Sequence, residues 1–258
     1  MFVFDIDGTL LDSQEQILPN TLLSLQTLHQ KGYPIAICTG RTWACAKPVL
    51  RSISEWVDYI ICGNGAHIRT KEGRVIYDNN LPSYFIRRFI ELVSGLTDFL
   101  IATNQRVIST SPNTPYNDVD HCMHLFDYEQ FNEKIHAKNL LAFNFHHLDA
   151  NVLAQIRQEL DSIDPDIKLS PLPHMWEVLS GVDNKAKALT TLSRVTKIPL
   201  TEFVAFGDNY NDEDMFRVVG SAVAMGNSPS SVKKHADYVT KSNDEDGIYE
   251  YLKKFKYL

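Results

Sequence analysis

Short apolar runs alternate with amphipathic stretches from Phe2 to Ile61. Phe2–Phe4, Pro34–Cys38 and Tyr59–Cys62 read as buried strands, apolar throughout and bounded by turn residues. Between them, Asn20–Lys31 and Trp43–Arg51 read as helices. Leu22, Leu23, Leu25 and Leu28 recur at helical spacing, and Gly32 supplies the stop. Strands that alternate with helices predict right-handed crossovers and a doubly wound parallel sheet, a Rossmann-like α/β core with helices on both faces. Ala66–Arg69 and Arg74–Tyr77 then form a hairpin about Lys71-Glu72-Gly73.

The pattern changes after the linker at 79–82. Tyr84–Val93 and Asn151–Ile163 are amphipathic helices, and a weaker helical signal covers Phe131–His136. Strands are expected at Phe99–Ala102, Val107–Ser109, Leu140–Phe145, Ile167–Leu169 and Met175–Leu179. Without strict alternation these elements predict an α+β domain, inserted into the core as a cap over residues 83–180. Residues 1–82 and 181–258 are then the two parts of the core. Alternation resumes with a helix at Lys185–Thr196, a strand at Phe203–Phe206 and a helix at Asp212–Val219. Ala222–Met225 and Tyr238–Thr240 are short strands about a helix at Ser230–His235, and Gly247–Lys254 is the last helix.

In such a sheet ligands sit at the carboxyl ends of the strands. The first strand runs there into Asp5-Ile6-Asp7-Gly8-Thr9. Continued as a strand, Asp5 and Asp7 point to one side and converge, and their repulsion calls for a cation between them. This suggests Mg²⁺ with a phosphate or similar anion; a surface Asx-turn is the competing reading, and on this stretch alone the two stand level. The fourth core strand ends in Gly207-Asp208-Asn209-Tyr210-Asn211-Asp212. Alone this reads as an Asp/Asn-rich turn with Asp212 capping a helix. Taken with the first loop, Asp5, Asp7, Asp208 and Asp212 offer hard oxygen ligands to one sheet edge, and the Mg²⁺ reading prevails. Thr39-Gly40, ahead of a helix, offers a hydroxyl and backbone N–H groups to an anion, or an ordinary cap. Lys185 opens a helix and can reach a phosphate as a point charge; Lys187 competes with it, and the expected helix start favours Lys185.

Composition narrows the classes. At 258 residues the chain has room for a core and one inserted domain, and 44% hydrophobic with 22% charged residues is ordinary for a globular protein. A formal net charge of -7 without a basic run argues against nucleic acid as a partner. No apolar stretch approaches membrane-spanning length and Met1 leads straight into a strand, so neither membrane nor signal peptide is expected. Cys38, Cys45, Cys62 and Cys122 lack CxxC spacing and read as reduced thiols, which fits a cytoplasmic location.

Asp5-Ile6-Asp7-Gly8-Thr9-Leu10, Cys38-Thr39-Gly40-Arg41, Lys185 and Gly207-Asp208-Asn209-Tyr210-Asn211-Asp212 resemble, in order, the four motifs of the haloacid dehalogenase superfamily. Gly63-Asn64-Gly65-Ala66, the stretch 222–228, and the segments 236–240 and 243–247 resemble its Cof-like phosphatases. The resemblance implies a Mg²⁺-dependent phosphatase acting on a small phosphorylated metabolite such as a sugar phosphate. It implies Asp5 as the nucleophile that forms an aspartyl-phosphate and Asp7 as general acid–base. Asp5, the Asp7 carbonyl and Asp208 would bind Mg²⁺ with Asp212 assisting, and Ile6, Thr39, Gly40, Lys185 and Asn211 would hold the phosphoryl oxygens. A phosphotransferase such as a phosphomutase is the alternative enzyme class. A non-catalytic Mg²⁺/phosphate-binding protein would tolerate loss of Asp7 or Lys185, and both are present. The inserted segment carries no readable motif; Trp176, Glu177, His174 and Arg106 are candidate contacts, with packing or surface roles as the alternative. His121, His124, His136, His146 and His147 share no metal-site spacing, and the oligomeric state is not readable.

Overall fold

Period-two alternation in the central strand divides the core into two apolar layers. The computed structural model describes residues 1–79, 81, 83–93, 96–103, 107–110, 122–124, 140–146, 149–163, 167–171, 175–180 and 183–258. Its strands are β1 (Phe2–Phe4), β2 (Ile35–Cys38), β3 (Tyr59–Cys62), β4 (His67–Thr70), β5 (Val75–Asp78), β6 (Phe99–Thr103), β7 (Val107–Ser109), β8 (Cys122–His124), β9 (Leu140–His146), β10 (Ile167–Pro171), β11 (Met175–Ser180), β12 (Val204–Gly207), β13 (Ser221–Ala224) and β14 (Tyr238–Val239). The described helices are α1 (Pro19–Gln30), α2 (Trp43–Leu50), α3 (Ser83–Val93), α4 (Ala150–Ile163), α5 (Lys185–Thr196), α6 (Glu213–Phe216), α7 (Ser230–Lys233) and α8 (Gly247–Lys254).

Among the described residues the strands make two sheets. One runs β14-β13-β12-β1-β2-β3-β4-β5 and the other β10-β11-β9-β6-β7-β8. In the first, β1 lies parallel between β2 and β12, with Phe4 opposite both Ile37 and Phe206. From β1 the chain builds outward through β2 and β3 in one direction, and later through β12, β13 and β14 in the other. The order therefore reverses at β1/β12, which is the switch point where such sheets open a crevice for a ligand. The sheet is mixed rather than wholly parallel, because β4 returns antiparallel to β3.

Phe2 and Phe4 face one side. The rings of Phe4 and Phe206 stack at 5.0 Å, Tyr251 of α8 meets Phe206 edge-on at 5.2 Å, and α8 packs on α1. Val3, Ala36, Cys38, Ile61 and Ala205 face the other side. There they pack with Ala188, Leu189 and Leu192 of α5, with Met215 and Phe216, and with Val232. Burying a leucine or phenylalanine contributes roughly 1.5–3 kcal/mol each, so these layers hold the strand ends in register.

By contacts the chain separates into two compact units: Met1–Gly40, Leu50–Tyr77 and Asn184–Leu258 form one, and Arg41–Val49 with Asp78–Asp183 the other. The second sheet belongs to the latter. Its Phe99, Ile101, Ile108, Phe145 and Val178 cluster with Phe89, Ile90 and Val93 of α3 and Ile156 and Leu160 of α4. The grouping of Arg41–Val49 with this unit is a feature that the alternation of strands and helices does not reveal.

Element ends differ locally from the sequence reading. α1 begins at Pro19, whose fixed φ suits a first helical position. The expected helix at Asp212–Val219 is a tight turn at Tyr210–Asp212 followed by α6 alone. The weakly signalled helix at 131–136, the linker residues 80 and 82, and residue 181 lie outside the described residues. Among the described residues no helix is long and apolar enough to cross a membrane.

Candidate active site

β1 ends at Phe4, but the ladder carries one residue further, since the Asp5 N–H donates to the Phe206 carbonyl at 3.0 Å. That bond fixes Asp5 at the switch point, buried, on the face packed by α5. Asn184 starts α5: its side chain accepts the Lys187 N–H at 2.8 Å, as an N-cap should. The first helical residue is therefore Lys185, fully buried, whose Nζ donates to Asp5 Oδ1 at 2.8 Å and to Asp212 Oδ1 at 2.6 Å. Lys187 is exposed, so of the two lysines the one brought to the carboxylates is Lys185.

After β12 the chain turns at Gly207, where a Cβ would collide with the Asp212 carboxylate. Asp212 is fully buried and folds back under its own loop. Its Oδ2 accepts the N–H groups of Asp208 and Asn209 at 2.8 and 2.9 Å. Both Asp212 oxygens thus have donors, and the residue fixes the loop and the Lys185 ammonium together. Asp208 is half-buried; its Oδ1 accepts the Thr9 hydroxyl at 3.1 Å. Gly8 has a positive φ of 73° and no room for a Cβ against Asp208, so the two loops close on each other only with glycine there.

The ligand oxygens of Asp5, Asp208 and Asp212 lie within 4.8 Å of one another. Three carboxylates against one ammonium leave a net negative formal charge, and every ligand atom is a hard oxygen. That set fits a divalent cation of the Mg²⁺ type. Burial pushes Asp5 up to about 7, against the pull of Lys185, and pushes Asp208 up to about 6, with the Asp212 charge adding to it. Lys185 is shifted up: burial opposes its charge, and Asp212 and Asp5 outweigh burial. At the end of β2, burial pushes the Cys38 thiol up to about 12, so it remains protonated.

These shifts give a prediction. The folded protein keeps protons on Asp5 and Asp208 that the unfolded chain releases near 3.8. Their contribution to stability is complete below that pH and is lost as pH rises through about 6 and about 7. Metal-free protein should therefore lose melting temperature across this window, while the rise produced by Mg²⁺ should grow, because protons and metal compete for the same oxygens. Melting curves with and without Mg²⁺ across the window check both trends; a Mg²⁺ shift that shrinks with rising pH contradicts them.

Other expected residues are placed differently. Asp7 does not continue the strand: it lies exposed in a wide turn, closed by Leu11 N–H on the Ile6 carbonyl at 2.9 Å, and its carboxylate is outside the group of three. No strand therefore carries Asp5 and Asp7 to one face, and the Asp7 charge bears on Asp208 instead. Ile6 is buried, so only its backbone can meet a ligand. Thr39 is no helix cap. It is fully buried, its N–H donates to the Ile61 carbonyl at 2.9 Å, and α2 starts at Trp43 behind Thr42. Its backbone N–H is thus withdrawn from any anion, which leaves the hydroxyl and Gly40. Asn211 is exposed and donates to Asn64 Oδ1 at 2.9 Å. Asn64 has a positive φ of 52° and donates its N–H to the Thr39 carbonyl at 3.1 Å, so it ties the β2 and β3 loops to the β12 loop.

In the other unit, Trp176 packs against the hydrophobic cluster of that unit and is a core residue there. Its neighbour Glu177 alternates to the opposite sheet face, in register with Asn144 and Ser170. Burial pushes Glu177 up to about 7. Arg106, His174, His121, His136 and His147 lie outside the described residues.

With this geometry in hand, comparison with known proteins is specific. Residues 2–252 match the family model of haloacid dehalogenase-like hydrolases. The chain is 28% identical over 269 residues to the 5-amino-6-(5-phospho-D-ribitylamino)uracil phosphatase YitU of Bacillus subtilis, covering 99% of this chain and 97% of that one. It superposes on a haloacid dehalogenase-like hydrolase from Bacteroides thetaiotaomicron with a TM-score of 0.88 at 26% identity, covering 98% of each chain. It is similar as well to a subclass IIB sugar phosphatase, with a TM-score of 0.78, 26% identity, and 100% and 99% of the two chains covered.

Proposed function

This chain belongs to the haloacid dehalogenase-like hydrolase family, and we propose that within it the chain is a Mg²⁺-dependent phosphatase working through an aspartyl-phosphate on Asp5. The proposed substrate is a small phosphorylated metabolite of the sugar-phosphate class. The observation that carries this reading is a buried Asp5 at the switch point, bonded to Lys185 and grouped with Asp208 and Asp212. The names of similar proteins, a ribitylaminouracil phosphatase and a sugar phosphatase, support the substrate class.

Asp5 is held with one oxygen on Lys185, which leaves the other to attack phosphorus. A bond forms from that oxygen to phosphorus as the bond to the ester oxygen breaks. Asp7, exposed at the turn beyond, gives its proton to the departing oxygen. It then takes a proton from the water that attacks the aspartyl-phosphate, which releases inorganic phosphate and restores Asp5. Lys185 stays charged throughout, and Asp212 positions it. Asp5 and Asp208 with the Asp7 carbonyl would hold Mg²⁺, which would supply the positive charge that offsets repulsion between a carboxylate and a phosphate dianion. The Thr39 hydroxyl, Gly40 and Asn211 hold phosphoryl oxygens.

A panel of phosphorylated metabolites with and without Mg²⁺ tests the reading. Release of inorganic phosphate that depends on Mg²⁺ supports it, and transfer to a second position of the substrate without release indicates a phosphomutase.

No bond-making role is assigned to residues 83–180, so we propose that this segment selects the substrate body. Remote contacts of that kind act on turnover as well as on affinity. Substitutions within this segment should lower kcat/KM for the preferred metabolite by about tenfold while a simple aryl phosphate stays within a few-fold. Equal losses on both substrates would contradict the division of labour.

A further inference from the structure

The loops at the carboxyl edge are held by more than the carboxylates. Asn227 follows β13, in a turn that is itself pinned: the Gly226 N–H donates to the Lys241 carbonyl at 2.9 Å, and Lys233 Nζ donates to the Gly226 carbonyl at 2.6 Å. From this turn the Asn227 side-chain amide donates to the Gly8 carbonyl at 2.8 Å and reaches Asp208 Oδ2 at 3.4 Å. Its Oδ1 accepts the Asn243 N–H at 3.1 Å, and the Asn243 side chain donates in turn to the Leu11 carbonyl at 2.8 Å. The same C-terminal loop meets the first loop once more, Asp244 accepting the Ser13 N–H at 2.7 Å, and meets the start of α1, Asp246 accepting the Asn20 amide at 2.9 Å.

The result is a brace among four strand-end loops, those after β1, β12, β13 and β14. The Asp208 carboxylate is approached on both oxygens, by the Thr9 hydroxyl on one and Asn227 on the other. The longer of these contacts is at the limit for a hydrogen bond, so it constrains Asp208 only while Asn227 is itself held. Asn243 does that holding. Asn227 is exposed, and hydrogen bonds of this kind add little net stability. Their consequence lies in orientation: a carboxylate that ligates metal loses affinity when the groups fixing it are removed.

We propose that Asn227, backed by Asn243, is a positioning residue that sets the Gly8–Thr9 turn and Asp208 for Mg²⁺ uptake; this rests on the Mg²⁺ reading of the site. Calorimetric titration of substrate-free protein with Mg²⁺, well above the range in which Asp5 and Asp208 titrate, gives the affinity directly. Asn227→Ala should weaken it by about tenfold. Asn243→Ala should weaken it less, and the double variant should match Asn227→Ala within about twofold, because both lie on one path. Turnover at saturating Mg²⁺ should stay within a few-fold of wild type, and the metal-free melting temperature should hardly move. Equal affinity in the wild type and both variants overturns the proposal alone. Weaker affinity accompanied by a matching fall in metal-free melting temperature also overturns it, since the role would then be merely structural. A wild type that takes up no Mg²⁺ overturns the reading of the site along with it.

Discussion

Asp5→Asn is expected to lower phosphatase turnover by at least ~10³-fold, about 4 kcal/mol of barrier. Asparagine keeps the size of the side chain and an oxygen for Lys185, so the buried contact of 2.8 Å has a substitute. What it lacks is the ionised oxygen that attacks phosphorus. The loss should therefore appear in kcat while the fold is retained, as circular dichroism and the melting curve can establish. Retention of more than about a tenth of wild-type turnover contradicts a covalent role for Asp5, because that remainder is under 1.4 kcal/mol of barrier.

Lys185→Met is expected to be the most destabilising single change in the core. The ammonium has no exposure and lies between two buried carboxylates, Asp5 and Asp212. Removing one partner of a buried ion pair leaves uncompensated charge and costs about 3–5 kcal/mol. The variant should respond by holding a proton on one carboxylate, so its stability should fall more steeply with rising pH than that of the wild type. Mg²⁺ should recover part of the loss, since it restores positive charge at the same oxygens. Chemical denaturation at two pH values, with and without Mg²⁺, measures all three effects. A loss below about 1 kcal/mol, typical of exposed ion pairs, contradicts the assigned arrangement.

Much of this site is written locally in the sequence. Asp5 and Asp208 close apolar runs that become neighbouring strands, and Lys185 follows a capping asparagine, so strand ends and a helix start are enough to bring them to one edge. Asp212 was legible as a turn residue, but its burial beneath the loop, with two backbone donors, depends on Gly207. For Asp5 and Asp7 the local pattern assumes that the strand runs on. It stops at Phe4, and Gly8 with a positive φ makes the turn. The Thr39 N–H likewise belongs to the β2/β3 ladder, a long-range pairing that no local pattern reports.

The brace was less accessible still. Asn227 meets Gly8 across 219 residues, and Asn243 meets Leu11 across 232. The sequence marks both asparagines only as part of the stretches that resemble Cof-like phosphatases, with nothing to join them to the first loop. Asn64 lies in another such stretch, and its contact with Asn211 likewise appears only once β3 and β12 share a sheet. The grouping of Arg41–Val49 with the second unit is of this kind too: helical spacing predicts α2 but says nothing about which unit it joins.

The central claim is the covalent intermediate on Asp5, and acid quenching during turnover tests it most directly. Wild-type protein mixed with a substrate found in the metabolite panel and Mg²⁺, quenched before substrate is exhausted, is digested under acid conditions that preserve acyl phosphates. The peptides are then sequenced by mass spectrometry. A phosphoryl group on Asp5, present with Mg²⁺ and substrate and absent from Asp5→Asn, is the predicted result. Steady turnover with the phosphoryl group on another residue, or with none on Asp5 at any quench time, would contradict it.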